Sequence, residues 1–133
     1  VGEEMLKRAL SCTLYVLVAA CLVAAKPNLG GFRPQQICQA ALASLQGSAL
    51  KNIDFYRSRQ QQMEFRLSQS GQTHSYVCQL DGERVLWRRA QDSRWQLNPE
   101  LRFHFNASAK QLFIGHYLGQ AKLAEYSYRV GDF

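Results

Sequence analysis

The sequence predicts an α+β domain: one N-terminal amphipathic helix packed on a curled antiparallel β-sheet, a meander of about six or seven short strands. Three observations carry that expectation. Ile37, Ala41 and Leu45 recur every fourth residue, with Cys38 and Leu42 beside them, which gives a helix one apolar stripe. From Ile53 onward, short segments alternate apolar and polar residues with a period of two, the repeat of a half-buried strand. Turn-forming residues separate these segments at short intervals, which suits hairpin connections rather than crossovers.

The chain of 133 residues divides into three parts. Residues 1–25 read as a targeting segment, in which Met5-Leu6-Lys7-Arg8 supplies a short basic start and Ala9 to Ala25 an apolar run. The acidic pair Glu3-Glu4 does not suit such a start, so Met5 is a candidate initiator. Small residues at Val23-Ala24-Ala25 favour ordinary cleavage before Lys26. Val18-Ala19-Ala20-Cys21 has the form of a bacterial lipobox in which Cys21 is lipidated, although Leu22 to Ala25 stay apolar where a lipoprotein turns polar. Retention of the run as a membrane anchor is the third reading. Residues 26–33 read as a Gly/Pro/Asn linker, and residues 34–133 as a single domain.

Pro34 suits the first turn of a helix, which continues to Gly47, a natural stop. Gln35, Gln39, Ala43 and Gln46 are expected on its outer side. Ile53 to Arg57 reads as a strand, and Met63, Phe65 and Leu67 mark the next one. After the turn at Ser70-Gly71-Gln72 comes the central hairpin, with Asp81-Gly82 as its two-residue loop. That loop sets Cys78 opposite Val85 and Tyr76 opposite Trp87, and places all four side chains on one covered face. Gln91-Asp92-Ser93 is a further turn. Trp95 and Leu97 resume an alternation that Asn98-Pro99 is expected to break. Leu101, Phe103 and Phe105 form the next strand, Asn106 to Ala109 a turn, Leu112 and Ile114 one face of another strand, and Tyr126, Tyr128 and Val130 the last.

The cysteines add a constraint. Cys12 and Cys21 fall in the targeting segment, which leaves Cys38 and Cys78 as one pair. Helix periodicity and strand alternation aim both sulfurs into the same interior, so a Cys38–Cys78 disulfide is expected. It implies an oxidising compartment, periplasmic or extracellular, with any membrane attachment through the N-terminal segment alone. His74, His104 and His116 are scattered at no ligand-like spacing, so neither a metal nor another cofactor is expected.

No phosphate loop, dinucleotide-binding glycine pattern, nucleophile elbow or zinc-helix motif is present. Carboxylates are sparse, and Glu64, Asp81, Glu83 and Asp92 suit strand surfaces or turns. His104 is expected on the face opposite Phe103 and Phe105. The sequon Asn106-Ala107-Ser108 is read as a chance match. From Lys26 onward there are 14 Lys plus Arg against 8 Asp plus Glu, so the net charge of +6 resides in the domain. Arg84, Arg88, Arg102 and Lys110 are candidates for a basic strip contacting a polyanion or another envelope protein. The expectation is therefore an exported, non-enzymatic binding module of the bacterial envelope, monomeric and with no nucleic-acid partner in vivo. The alternatives are an inhibitor that inserts Gln91-Asp92-Ser93 into an extracytoplasmic hydrolase, and an arginine-mediated polyanion binder.

Overall fold

A computed structural model describes residues 29–133. The targeting segment, its cleavage and lipidation motifs and the start of the linker lie outside the described residues. Helix α1 (Pro34–Gln46) is followed by a 3-10 turn (Leu50–Asn52) and seven strands. These are β1 (Ile53–Arg59), β2 (Gln62–Gln69), β3 (Gln72–Asp81), β4 (Arg84–Arg89), β5 (Gln96–Phe105), β6 (Gln111–Leu118) and β7 (Ala121–Arg129). They form one antiparallel sheet in the order β1-β2-β3-β4-β5-β6-β7 with no crossover.

Helix α1 starts where Pro34 needs no hydrogen-bond partner and where the Arg33 N–H donates to Gln36 Oε1 at 2.9 Å. It ends at Gly47, whose φ of 62° is left-handed and lets Ser48 N–H return to the Ala43 carbonyl at 3.0 Å. The helix touches β1, β3, β4 and β6, so the sheet curves around it. This wrapping corrects the expected outer face. Ala43 is fully buried together with Ala40 and Ala41, because residues without side chains beyond Cβ let strands close in on more than one side. Pro34 is exposed, and Gln35, Gln36, Gln39, Leu45 and Gln46 keep partial access to solvent.

The concave side of the sheet carries Met63, Phe65, Leu67, Tyr76, Val85, Leu101, Phe103, Leu112 and Ile114, all buried. Each large aliphatic side chain removed from water there is worth about 2 kcal/mol. The expected strand alternation accounts for every one of these positions. The packed domain begins before Pro34. Phe32, placed by the sequence within the linker, is a core residue stacked on Phe105 at 5.6 Å and edge-on to Phe133 at 5.9 Å, with Leu29 packed beside the core.

Two local expectations are corrected. In the central hairpin, Asp81 pairs with Arg84, so the loop is Gly82-Glu83 rather than Asp81-Gly82. Of these residues only Gly82 has positive φ, at 60°, which fits a turn that needs glycine at its first central position alone. Cys78 therefore faces Trp87, and Tyr76 faces Arg89. The register moves by two, so every side chain keeps its expected face. Asn98-Pro99 does not end a strand; β5 runs through it with a cis bond. The β4–β5 ladder jumps from Val85↔Leu101 to Trp87↔Gln96, leaving residues 97–100 bulged out. A proline there forfeits no ladder hydrogen bond, and its carbonyl accepts one from Trp87 Nε1 at 3.3 Å.

Cys38 and Cys78 form a disulfide with Cα atoms 6.0 Å apart. Both residues are fully buried, so the bond ties α1 to the middle of β3 from inside the core. A disulfide of this kind fits a non-cytoplasmic compartment.

Candidate functional site

Arg84 and Arg102 are brought together, directly opposite each other in the β4–β5 ladder. They are also neutralised there. Arg84 donates to Asp81 at 2.7 Å and lies 3.5 Å from Glu100, while Arg102 grips Glu100 through Nε at 2.9 Å and Nη2 at 2.6 Å. The hydrogen bond from Arg102, with Arg84 nearby, holds the Glu100 carboxyl below the usual range. The Arg102 guanidinium also lies 4.3 Å from the centre of the Tyr117 ring. These cations are occupied.

Lys110 stands apart from them, in the β5–β6 turn that Asn106 organises by accepting from the N–H groups of Lys110 and Gln111 at 3.1 Å. Arg102 pairs with Gly115, five residues along from Lys110, on the order of 16 Å of strand. Arg88 serves a different purpose. Its Nη1 donates to the carbonyls of Asp92 at 2.6 Å, Ala90 at 3.3 Å and Arg89 at 3.4 Å, and its guanidinium lies 5.2 Å from the centre of the Trp95 ring. It clamps the exposed loop containing Gln91-Asp92-Ser93. The expected strip is thus split into a neutralised pair, a loop clamp and a separate turn lysine.

A different basic cluster forms on the convex face of β1–β4. Register lines up Arg57, Glu64, Val77 and Arg88 straight across four strands, with Arg59 opposite Gln62. Arg57 donates to Glu64 through Nε at 2.6 Å, and Val77 lies buried beneath as the apolar floor of a shallow depression of about 140 Å³. A bulge between Phe55 and Arg57 turns out Tyr56, whose ring centre lies 3.7 Å from the Arg66 guanidinium and 5.3 Å from that of Arg57. The hydrogen bond from Arg57, with the charges of Arg57, Arg59 and Arg66, holds the Glu64 carboxyl below its ordinary range.

Arg59 makes no side-chain hydrogen bond or ion pair among the described residues, and Arg66 meets only the face of Tyr56, which leaves the in-plane edge of its guanidinium open. Asp54 stands opposite Arg66 in the ladder without an ion pair. Four arginines therefore share a patch with two carboxylates. The period-two spacing of Arg57 with Arg59 and of Glu64 with Arg66 was the signal that could have revealed this cluster.

His104 projects to the outer face as expected, stacked on Phe113 at 4.8 Å. His116 is buried against Tyr126, and its Nε2 lies 2.9 Å from Ser44 Oγ. Ser44 Oγ also lies 2.8 Å from the Ala41 carbonyl, and which of the two groups donates in the Ser44–His116 bond follows the tautomer of the imidazole. Burial pushes the His116 pKa down, keeping the ring neutral. Among the described residues no group of three His, Cys, Asp or Glu is placed to hold a metal ion. A second, wider cleft of about 630 Å³ opens between the start of α1 and the β1–β2 and β3–β4 turns, floored by Leu29, Met63, Leu80 and Phe103.

No protein-family model matches the chain, and neither a curated protein nor a solved structure is significantly similar to it.

Proposed function

We propose that this chain is an exported, non-enzymatic binding module of the bacterial envelope, acting in the periplasm or outside the cell, and that its partner is anionic. The observation that carries the reading is the uncompensated arginine patch on the convex face of β1–β4. Arg59 and Arg66 are exposed, have no carboxylate bound to them and flank an Arg57–Glu64 pair over an apolar floor. Guanidinium groups displayed this way suit phosphate, sulfate or carboxylate groups of a polyanion. The disulfide supports export.

The test is binding of a sulfated polysaccharide probe, heparin, as ionic strength rises. Affinity is expected to fall steeply with salt and to depend on Arg59 and Arg66. Affinity indifferent to salt, or to an Arg59→Gln/Arg66→Gln double substitution, rejects the reading.

The Arg88 clamp favours one second reading, in which the β4–β5 loop inserts into an extracytoplasmic hydrolase. A loop already held at three carbonyls loses little further freedom on binding. Inhibition of a hydrolase that persists at high salt and is lost in Arg88→Ala distinguishes it.

A further inference from the structure

The two outer strands of the sheet are protected unequally. β1 is bulged at Tyr56 and studded with Arg57 and Arg59, devices that discourage strand addition. β7 is bulged only at Leu123, opposite the His116–Tyr117 step, and residues 124–129 stay in unbroken register with β6. Among the described residues, exposed large hydrophobics gather here: Leu118, Leu123, Tyr126 and Val130 lie on or beside this strand.

Main-chain direction along β7 follows from hydrogen bonds at its neighbour. Gln111 accepts from Asn106 N–H through its carbonyl and donates its own N–H to Asn106 Oδ1, both at 3.1 Å, so its main-chain groups face β5. Alternation then turns Leu112, Ile114 and His116 toward β7, where they meet Tyr128, Tyr126 and Ala124. Glu125, Ser127 and Arg129 consequently point their N–H and C=O groups away from the sheet. Arg129 agrees with this, because its N–H donates to Asp132 Oδ2 at 2.7 Å instead of to β6.

We propose that two copies of the chain pair antiparallel through β7, with the two-fold axis at Ser127. In this register Glu125 of one copy lies opposite Arg129 of the other on the convex face, and Tyr126 lies opposite Tyr128 on the concave face. Ser127 exchanges both main-chain hydrogen bonds with its own equivalent, and Glu125 N–H reaches the Arg129 carbonyl of the second copy. The Asp132 carboxylate, which holds the outward Arg129 N–H at 2.7 Å, gives that N–H up to the Glu125 carbonyl of the second copy. Centring the axis on Glu125 would set like charges together. Centring it on Tyr126 would set Arg129 against Leu123 at the bulge. Only the Ser127 register matches charge with opposite charge in duplicate, each pair adding to the aromatic pairs beside it. Glu125 already has Lys122 at 2.5 Å within its own chain and would share its carboxylate between the two cations. This departs from the monomer expected from sequence, and it holds whether or not the arginine patch binds a polyanion.

The test uses the full chain with its native N-terminal segment. Sedimentation should show a dimer. Ser127→Cys should give a disulfide-linked dimer under mild oxidation, well above the background that Cys12 and Cys21 set in the unsubstituted chain. Ser108→Cys, in the β5–β6 turn, should not exceed that background. Glu125→Arg or Arg129→Glu alone should weaken the dimer by about tenfold, and the double substitution should restore it. A monomer throughout the concentration range, or Ser127→Cys no better linked than Ser108→Cys, overturns the proposal. Failure of the double substitution to rescue overturns the register.

Discussion

β1–β4 and β5–β7 are parts of one sheet built on the same alternation, yet they differ in how they are held and in what they do with charge. The first group is bonded covalently to α1 through Cys78 of β3, and it leaves Arg59 and Arg66 without bound carboxylates. The second group meets α1 through the Ser44–His116 hydrogen bond, and Glu100 and Glu125 absorb Arg102 and Lys122, leaving Lys110 and Arg129 without an ion pair among the described residues at its far end. Between them the β4–β5 ladder keeps only the pairs at Arg84, Val85 and Trp87. A basic strand surface becomes available for binding only where no acidic neighbour closes an ion pair with it, as Asp54 opposite Arg66 does not. A count of arginines is not a count of free charges.

Removing the staple should have the largest effect. Cys78→Ala opens a loop of 40 residues, for which chain entropy gives about 4 kcal/mol of lost stability, and the variant's melting temperature should then ignore reductant. Next comes charge. Arg59→Gln/Arg66→Gln should weaken heparin binding at low salt by about tenfold and lower the log–log salt slope by about one unit per arginine. Arg84→Gln/Arg102→Gln should change it by no more than about twofold, since those cations are already paired. Equal losses from both double variants would erase the distinction between the two surfaces.

The seam is the third target. Trp87→Phe removes the donor to the Pro99 carbonyl and should cost about 1 kcal/mol in denaturant unfolding, with the disulfide intact. The smallest expected effect is a pH slope. Burial lowers the folded-state pKa of His116 below its ordinary 6.5, so above pH 6.5 the ring is neutral whether folded or unfolded. As pH falls below 6.5, the unfolded chain takes up the proton first and stability declines until the folded-state pKa is passed. His116→Gln should flatten that decline, measured by urea midpoints between pH 7 and pH 5.

Much of the architecture was legible because burial imposes simple periods. The four-residue recurrence at Ile37, Ala41 and Leu45 located the helix, and alternation at Met63, Leu101 and Leu112 located the core faces. Those two periods together placed the disulfide. The register at Asp81-Gly82 was misread by two because Asp-Gly tolerates positive φ at both positions, whereas the chain uses it at Gly82 alone. Asn98-Pro99 was misread because nothing local announces that β4 will leave residues 97–100 unpaired. Phe32 was hidden by its setting among Gly30, Gly31 and Pro34, and its partners Phe105 and Phe133 are remote in sequence.

The candidate site was less legible for a similar reason. Parity correctly gave Arg84 and Arg88 a shared face, but whether a cation is free depends on which carboxylate reaches it. Glu100 reaches Arg84 only through the β4–β5 pairing. The Arg57–Glu64–Val77–Arg88 row spans four strands and exists only once three registers are fixed.

The absence of crossovers in the sheet bears on the order in which the domain can be assembled. Every strand pairs only with its neighbours in sequence, so each strand after β1 finds one partner already in place as the chain emerges amino end first. Loop closure between neighbouring strands is short and entropically cheap. The longest reach in the first half, from Cys38 to Cys78, becomes available as soon as β3 exists. Helix and hairpin can thus be locked while β5, β6 and β7 are still to come. β7 then adds last, to a platform that is already rigid.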